Sequence, residues 1–198
     1  MARQIKSRER VAEYGEVFTS EREVNAMLDL VKSETDRIES RFLEPACGNG
    51  NFLAEILRRK LARVKRQYKG DNSEYAKNAF LVLTSIYGID IQEDNVKECR
   101  QRLFDIWDKA YTDQCGKEPD DEARDAARFV LEKNILCGNA LTFPRNDETP
   151  IVFAQWDFTD GCRMRRRDFA LDALMRDETP APIREFPSVD YREVQYVT

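Results

Sequence analysis

The sequence predicts an α/β protein built on a parallel, doubly wound sheet. Short apolar runs suited to buried strands occur at 41–44, 86–90, 134–141 and 151–158. The segments between them are longer, and their apolar residues recur at helical spacing. A glycine-containing turn follows the first run directly, and ligands of such sheets bind at the carboxyl ends of the strands. Together these features favour strands that alternate with helices around one ligand site.

The first predicted element is an amphipathic helix over 20–38. Ser20 and Glu23 have the spacing of a capping box, and the apolar residues behind them fall on one helical face: Val24, Met27, Leu28 and Val31. The elements predicted after it are a strand at 41–44, a helix at 51–68, a helix at 75–85, a strand at 86–90, a helix carrying Val96, Cys99, Leu103, Ile106 and Trp107, a helix at 123–131, a third strand near 134–141 and a fourth at 151–158.

The chain divides into three parts on this interpretation. Residues 1–40 form an N-terminal helical segment, residues 41–160 form the α/β core, and residues 161–198 form an Arg-rich and Pro-punctuated tail. A length of 198 residues suits one hydrophobic core and is short for two domains.

The composition is that of a globular protein with a polar surface, since 41% of residues are hydrophobic and 35% are charged. No apolar run approaches the length of a membrane span, and the first ten residues lack a signal-peptide core, so we expect a cytoplasmic protein without a membrane partner. The net charge of −5 does not indicate a whole-surface nucleic-acid binder, although 58–66 and 162–169 are locally basic.

The cysteine and histidine content limits the chemistry. Five cysteines are widely spaced and form no C-x-x-C pair, and the chain contains no histidine. These facts argue against a disulfide framework, a structural zinc site and a histidine-based nucleophile, so we expect no metal. Chemistry here must use carboxylates, amides, backbone dipoles or a cofactor.

The turn after the first strand indicates a particular ligand. Gly48 and Gly50 permit positive φ, and the following helix offers unpaired N–H groups to an anion. Asp90 ends the second strand, where a carboxylate can accept from ribose hydroxyls, and Asn139 follows the third, where its amide can read an adenine edge. This combination indicates an adenosine-containing ligand. The alternative is that the glycines shape a loop, Asp90 caps a helix and Asn139 makes a turn.

Four segments also resemble, in order, motifs of the adenine-specific (amino-group) DNA methyltransferases of restriction–modification systems. They are "GEVFTS" (15–20), "FLEPACGNGNFL" (42–53), "YGIDI" (87–91) and "ILCGNAL" (135–141). The resemblance covers roughly residues 11–141 and implies a Rossmann-like class I methyltransferase fold that binds S-adenosylmethionine. The family often has Asp where Asn139 stands, so the amide is a departure from its pattern.

The resemblance also implies roles for individual residues. Phe18 and Thr19 would flank the methionine end of the cofactor, Asp90 would hold the ribose, Ile91 would pack on the adenine and Asn139 would meet its amino edge. The full implied cofactor set is Phe18, Thr19, Glu44, Pro45, Ala46, Cys47, Gly48, Gly50, Asp90, Ile91, Asn139 and Ala140.

The catalytic tetrapeptide of that family, Asp/Asn-Pro-Pro-Tyr/Phe, is missing, because the chain contains no Pro-Pro. In the family it binds the amino group of a base that has been flipped out of the duplex. The fourth predicted strand ends instead in Gln155, Trp156, Asp157 and Phe158. These residues are the candidates for acceptor and stacking roles, and the alternative is that they are core aromatics on an ordinary strand.

The family fold has seven strands, and only four are predicted here. We therefore expect a truncated sheet whose fourth strand is an edge open to self-association or to a protein partner. The cluster of Arg163, Arg165, Arg166 and Arg167 can contact DNA phosphates, or it is a solvated helix start or pairs with the acidic segment 117–125. The sequence thus favours a cofactor-binding, methyltransferase-like protein that needs a partner for methyl transfer. The alternative is a non-catalytic regulatory or assembly subunit.

Overall fold

The computed structural model describes residues 5–116, 120–142, 144–145, 148–176 and 179–197. Its helices are α1 (Arg8–Tyr14), α2 (Glu21–Leu30), α3 (Lys32–Thr35), α4 (Asn51–Gln67), α5 (Asn72–Thr84), α6 (Glu93–Cys115), α7 (Asp121–Asn134) and α8 (Leu171–Arg176), with a 3₁₀ helix at Tyr191–Tyr196. Its strands are β1 (Phe42–Glu44), β2 (Ile86–Asp90), β3 (Ile135–Cys137), β4 (Val152–Asp160), β5 (Arg163–Ala170), β6 (Arg184–Glu185) and β7 (Val189–Asp190).

The first three strands form a parallel sheet in the order β1-β2-β3. Phe42 lies opposite Ile86, and Asp90 lies opposite Cys137. Every residue of β2 is buried because this strand is central and has helices α4 to α7 packed beside it. The predicted α/β class with a parallel sheet is therefore confirmed. A parallel three-stranded sheet with helices is compatible with a Rossmann-like fold.

The prediction that residues 151–158 extend this sheet is wrong. β4 instead pairs antiparallel with β5, so that Phe153 lies opposite Phe169 and Asp157 opposite Arg165. The chain reverses at Gly161, whose φ of 52° is accessible to glycine without strain. β5 also pairs with β6 and β7, which makes a second, antiparallel sheet. An apolar run predicts a strand but not its direction, so the hairpin was missed.

The second sheet covers one face of the first. A small apolar cluster joins Tyr87, Ile89 and Leu136 of the parallel sheet to Ile151 and Phe153 beside and within β4. The Tyr87 hydroxyl donates to the Ala154 carbonyl at 3.0 Å, and its ring meets Phe153 edge-on with centroids 5.4 Å apart. Antiparallel strands thus occupy a face that helices were expected to cover.

The N-terminal helix is interrupted. The capping box of Ser20 and Glu23 is present, but Val31 leaves the helical conformation (φ −116°, ψ 31°), and α2 and α3 lie where one helix was predicted. In the part of the chain that the structure describes, no helix is long and apolar enough to cross a membrane.

A buried lysine joins the N-terminal ends of β1 and β2. Lys60 of α4 is fully buried. Its ammonium donates to the Ile38 carbonyl at 3.1 Å, to the Ser85 hydroxyl at 2.8 Å and to the Ser40 carbonyl. Burial lowers the pKa of Lys60 to about 7 from its ordinary 10.5. The Lys60 side chain therefore connects the segments that precede β1 and β2. Burial of its ammonium is unfavourable because the charge loses its hydration.

This lysine predicts a pH dependence of stability. Between about pH 7 and pH 10.5 the unfolded chain binds a proton at Lys60 that the folded protein releases, so the free energy of unfolding should rise with pH in this window. The rise cannot exceed about 1.4 kcal/mol per pH unit for one proton. Urea unfolding across this range should show the rise in wild type but not in Lys60→Met. Parallel pH profiles of the two proteins would contradict the assignment.

Candidate functional site

The turn after β1 carries the site. The Gly50 N–H donates to the Cys47 carbonyl and the Cys47 N–H to the Ile89 carbonyl, both at 2.8 Å, which fixes the turn beside the end of β2. Gly48 and Gly50 have φ values of 51° and 86°, in the left-handed region that favours glycine. Gly50 is also the N-cap of α4 and supplies no side-chain cap, so the amides of the first turn of α4 keep their capacity to bind a ligand.

The Asp90 carboxylate holds this turn in place. Its Oδ2 accepts from the Gly48 N–H at 2.8 Å. Its Oδ1 accepts from the Gln92 N–H at 2.9 Å and from Asn95 Nδ2 at 3.2 Å. Asp90 is 9% exposed, and these three hydrogen bonds occupy most of the acceptor positions of its carboxylate. The sequence offered a ribose contact or a helix cap for Asp90, and its bond to Gln92 lies at the entry to α6, but its hydrogen bond with the Gly48 N–H was not anticipated.

A cavity of about 540 Å³ opens at this point. It is lined by all the predicted cofactor residues except Gly50, namely Phe18, Thr19, Glu44, Pro45, Ala46, Cys47, Gly48, Asp90, Ile91, Asn139 and Ala140. Gly50 lies behind the turn, where a Cβ atom would meet Cys99 Sγ at 2.7 Å. Segments far apart in sequence thus converge on a space large enough for a nucleoside-sized ligand.

Glu44 is one of three acidic side chains of the cavity wall, with Glu16 and Asp90. Burial raises the pKa of its carboxyl above the ordinary 4.5, although a hydrogen bond from the Ala46 N–H acts in the opposite direction. Among the described residues, no lysine or arginine forms an ion pair with Glu44. A partly buried carboxylate without a cation is suited to bind a positively charged ligand group.

The part of the cavity wall that contains Ile91 and Asn139 differs from the prediction in one detail. Ile91 is 44% exposed and presents an apolar surface to the cavity. The side-chain oxygen of Asn139, however, accepts from the backbone N–H groups of Leu141 at 2.9 Å and Thr142 at 3.3 Å. The turn-forming alternative for Asn139 is therefore observed, and its amide nitrogen is the group left for a ligand.

An N-terminal strap, residues 5–20, forms the outer wall of the cavity. Arg10 forms ion pairs with Asp94 at 2.6 Å and with Glu16 at 2.7 Å. Glu16 accepts from Asn95 Nδ2 at 2.6 Å, and the Thr19 carbonyl accepts from Asn51 Nδ2 at 2.9 Å. Glu16, Asn51 and Asn95 all line the cavity, and sequence reasoning missed all three. Glu16 belongs to the segment "GEVFTS", but nothing in that segment indicated a hydrogen bond with Asn95, which is 79 residues away.

The structure does not bring the candidates for catalysis to this cavity. Trp156 is 3% exposed, and its indole N–H donates to Asn134 Oδ1 at 2.9 Å. Gln155 donates to Asp157, which also pairs with Arg167, and Phe158 packs edge-on against Tyr191. None of these four residues lines the cavity.

The four arginines proposed for DNA contact lie on β5 rather than at a helix start. Arg166 is 8% exposed, forms a bidentate ion pair with Asp168 and lies over the Phe186 ring. Arg163, Arg165 and Arg167 alternate with it and are more exposed. Of these three, Arg167 pairs with Asp157 and Arg163 donates to the Ser188 carbonyl, so their guanidinium groups are partly engaged within the protein.

Within the described ranges, no group of three His, Cys, Asp or Glu side chains could hold a metal ion, and all five cysteines are free thiols. A hydrogen bond with Cys99 and burial both raise the pKa of Cys47, so this thiol beneath the turn is an unreactive packing group.

The glycine turn generates a prediction with a matched control. Gly50 and Gly70 have nearly equal φ values, 86° and 88°, but only Gly50 has a neighbour where a Cβ would lie. Gly70→Ala should cost only the backbone strain, about 1 kcal/mol. Gly50→Ala should cost roughly 1–3 kcal/mol more because the methyl group meets Cys99 Sγ.

Urea unfolding of the two variants measures both terms. Measured against the single variant Cys99→Ala, the double variant Gly50→Ala/Cys99→Ala should lose only the backbone part, because the new methyl group no longer meets a sulfur atom. Equal losses for Gly50→Ala and Gly70→Ala would show that Cys99 does not constrain the turn.

Comparison with known proteins found a partial similarity. A protein of Methanocaldococcus jannaschii named "Putative type II restriction enzyme and methyltransferase" is 32% identical over 114 residues, which is 54% of this chain and 9% of that protein. The chain thus spans under a tenth of the relative's length. No family profile matches the chain, and no solved structure matches it. The chain is similar to a small part of a restriction enzyme and methyltransferase.

Proposed function

We propose that this chain binds S-adenosylmethionine and forms the cofactor half of a DNA adenine methyltransferase of a restriction–modification or mobile-element system. The convergence of the glycine turn, Glu44, Asp90 and Ile91 on one cavity carries the proposal. These residues fit the cofactor because its ammonium, its carboxylate, its ribose and the face of its adenine each have a suitable partner there. The similarity to a restriction enzyme and methyltransferase supports the same conclusion.

Each part of the cofactor is assigned to a residue by charge and polarity. Glu44 suits the ammonium of the methionine end, since it is a half-buried carboxylate. The backbone amides at the start of α4 suit the methionine carboxylate. Asp90 suits a ribose hydroxyl, and the exposed Ile91 suits the face of the adenine.

The cofactor supplies an activated methyl group on its sulfonium when bound, and the protein supplies orientation. In this proposal the adenine amino group of DNA reaches the cavity only with a partner chain, which would supply the missing tetrapeptide and the recognition of the DNA sequence. Arg163, Arg165 and Arg167 then contribute contacts to the DNA backbone, which are independent of sequence.

A second candidate is a non-catalytic subunit that uses the cofactor for regulation or assembly. It is favoured by the burial of Trp156 and the hydrogen bond between Gln155 and Asp157, because side chains engaged in these contacts are not free to bind a methyl acceptor. It is also favoured by an apolar groove of about 220 Å³ between β1 and β4. Each of these strands has one unpaired edge within the described sheets, where a partner strand can add. Methyl transfer with a partner and DNA separates the two candidates.

Calorimetric titration with S-adenosylmethionine tests the proposal directly. Wild type should bind, and Asp90→Ala should weaken binding at least roughly 10-fold because it removes a charged acceptor and releases the Gly48 N–H. Asp105→Ala is the matched control, since Asp105 is an exposed residue of α6 that bonds only to Gln101 among the described contacts. A folded wild type that does not bind would remove the cofactor and enzyme proposals together.

The charge of Glu44 predicts a pH dependence of cofactor binding. Glu44→Gln should weaken binding roughly 10- to 100-fold because it removes a charged hydrogen-bond acceptor from the ligand ammonium. In wild type, affinity should fall as the pH decreases through the raised pKa of Glu44, because protonation neutralises the carboxylate. Titrations of both proteins at several pH values measure this, and the exposed Glu122→Gln is the control. Equal pH profiles for wild type and Glu44→Gln would contradict the assignment.

A further inference from the structure

A buried amide in the cavity wall has an acceptor that no protein group uses. Asn95 lies in the first turn of α6, is 1% exposed and lines the cavity. Its Nδ2 donates to Glu16 Oε1 at 2.6 Å and to Asp90 Oδ1 at 3.2 Å. Its Oδ1 is buried and has no hydrogen-bond partner. Buried side-chain oxygens are satisfied in most folded proteins, so this one needs an explanation.

The orientation of the Asn95 amide is determined by its neighbours. Nδ2 faces two carboxylate oxygens, one from Glu16 and one from Asp90. A flipped amide would place Oδ1 against both of these acceptors and would lose two hydrogen bonds. The oxygen is therefore the atom that remains without a partner.

The neighbouring carboxylate cannot serve a vicinal diol alone. Asp90 already accepts three hydrogen bonds, from the Gly48 N–H, the Gln92 N–H and Asn95 Nδ2. A carboxylate has about four lone-pair positions, so roughly one is left, and it lies on Oδ2. A ribose presents two adjacent hydroxyl groups, and the second one needs another acceptor close to Asp90.

We propose that Asn95 Oδ1 is this second acceptor and that Asn95 and Asp90 together bind the vicinal diol of a ribonucleoside. One ribose hydroxyl donates a hydrogen bond to Asn95 Oδ1 and so satisfies the buried oxygen. The second hydroxyl donates to the Asp90 carboxylate. Asn95 is then a ligand contact and also the link between the ribose site and Glu16 of the strap. This inference deepens the proposed function and rests on it for the choice of S-adenosyl ligand.

Deoxy analogues of the ligand provide the test. S-adenosylhomocysteine and its 2′-deoxy and 3′-deoxy analogues are titrated calorimetrically into wild type, Asn95→Ala and the control Asn78→Ala. Asn78 is a comparably buried amide (7% exposed) that bonds to the Glu74 carbonyl of its own helix, away from the cavity. In wild type and in Asn78→Ala, removal of the hydroxyl group that donates to Asn95 should weaken binding roughly three- to tenfold.

In Asn95→Ala the penalty for that one hydroxyl should disappear while the penalty for the other hydroxyl remains. A merely structural role for Asn95 would weaken all three ligands equally and leave both penalties intact, which would overturn the inference. Adenosine is titrated as well. If adenosine binds to wild type and loses the same hydroxyl penalty in Asn95→Ala, while S-adenosylhomocysteine does not bind, the proposed function is overturned and the diol site is supported. A folded wild type that binds none of these ligands would overturn both.

Discussion

The hydrogen bond from the Gly48 N–H to the Asp90 carboxylate is the constraint on which the site depends. It ties the turn after β1 to the end of β2, and the same carboxylate holds the Gln92 N–H at the entry to α6. Three segments therefore meet at one nearly buried charge. Because the charge is compensated by two backbone N–H groups and an amide, its burial does not require a cation. The glycine turn keeps its shape because this acceptor is there.

The floor and the outer wall of the cavity are stabilised by different forces. The floor rests on the apolar core between α4 and β2, where Leu53 and Ile86 are fully buried. The strap contributes no buried residue from α1 and is held mainly by ion pairs to Asp94 and by Glu16. The ion pairs of Asp94 reach solvent, where such pairs contribute little individually and are screened by salt, whereas the Arg10–Glu16 pair is more buried. We therefore expect the strap to open at a lower free-energy cost than the floor.

The sequence predicted those parts of the structure that depend on local patterns. Apolar runs located β1, β2 and β3, and the glycines with Asp90 located the cavity. It did not predict features that depend on distant partners. The run around Arg166 was interpreted as a surface cluster, because only the fold shows that Asp168 and the Phe186 ring compensate its buried charge. Asn95 was missed for the same reason, since Glu16 is remote in sequence.

The cavity is separate from the antiparallel sheet. All residues that line the cavity come from 14–19, 44–52, 90–95 and 138–141, and none comes from β4 to β7. The antiparallel sheet therefore supports the fold through Tyr87 and Phe153 but does not line the cavity. Under the proposed function, the chain binds its nucleoside ligand with its own residues. The side chains of β4 that were candidates for catalysis are engaged instead with Asn134, Arg167 and Tyr191. Methyl transfer would then require an acceptor site supplied from outside the described residues.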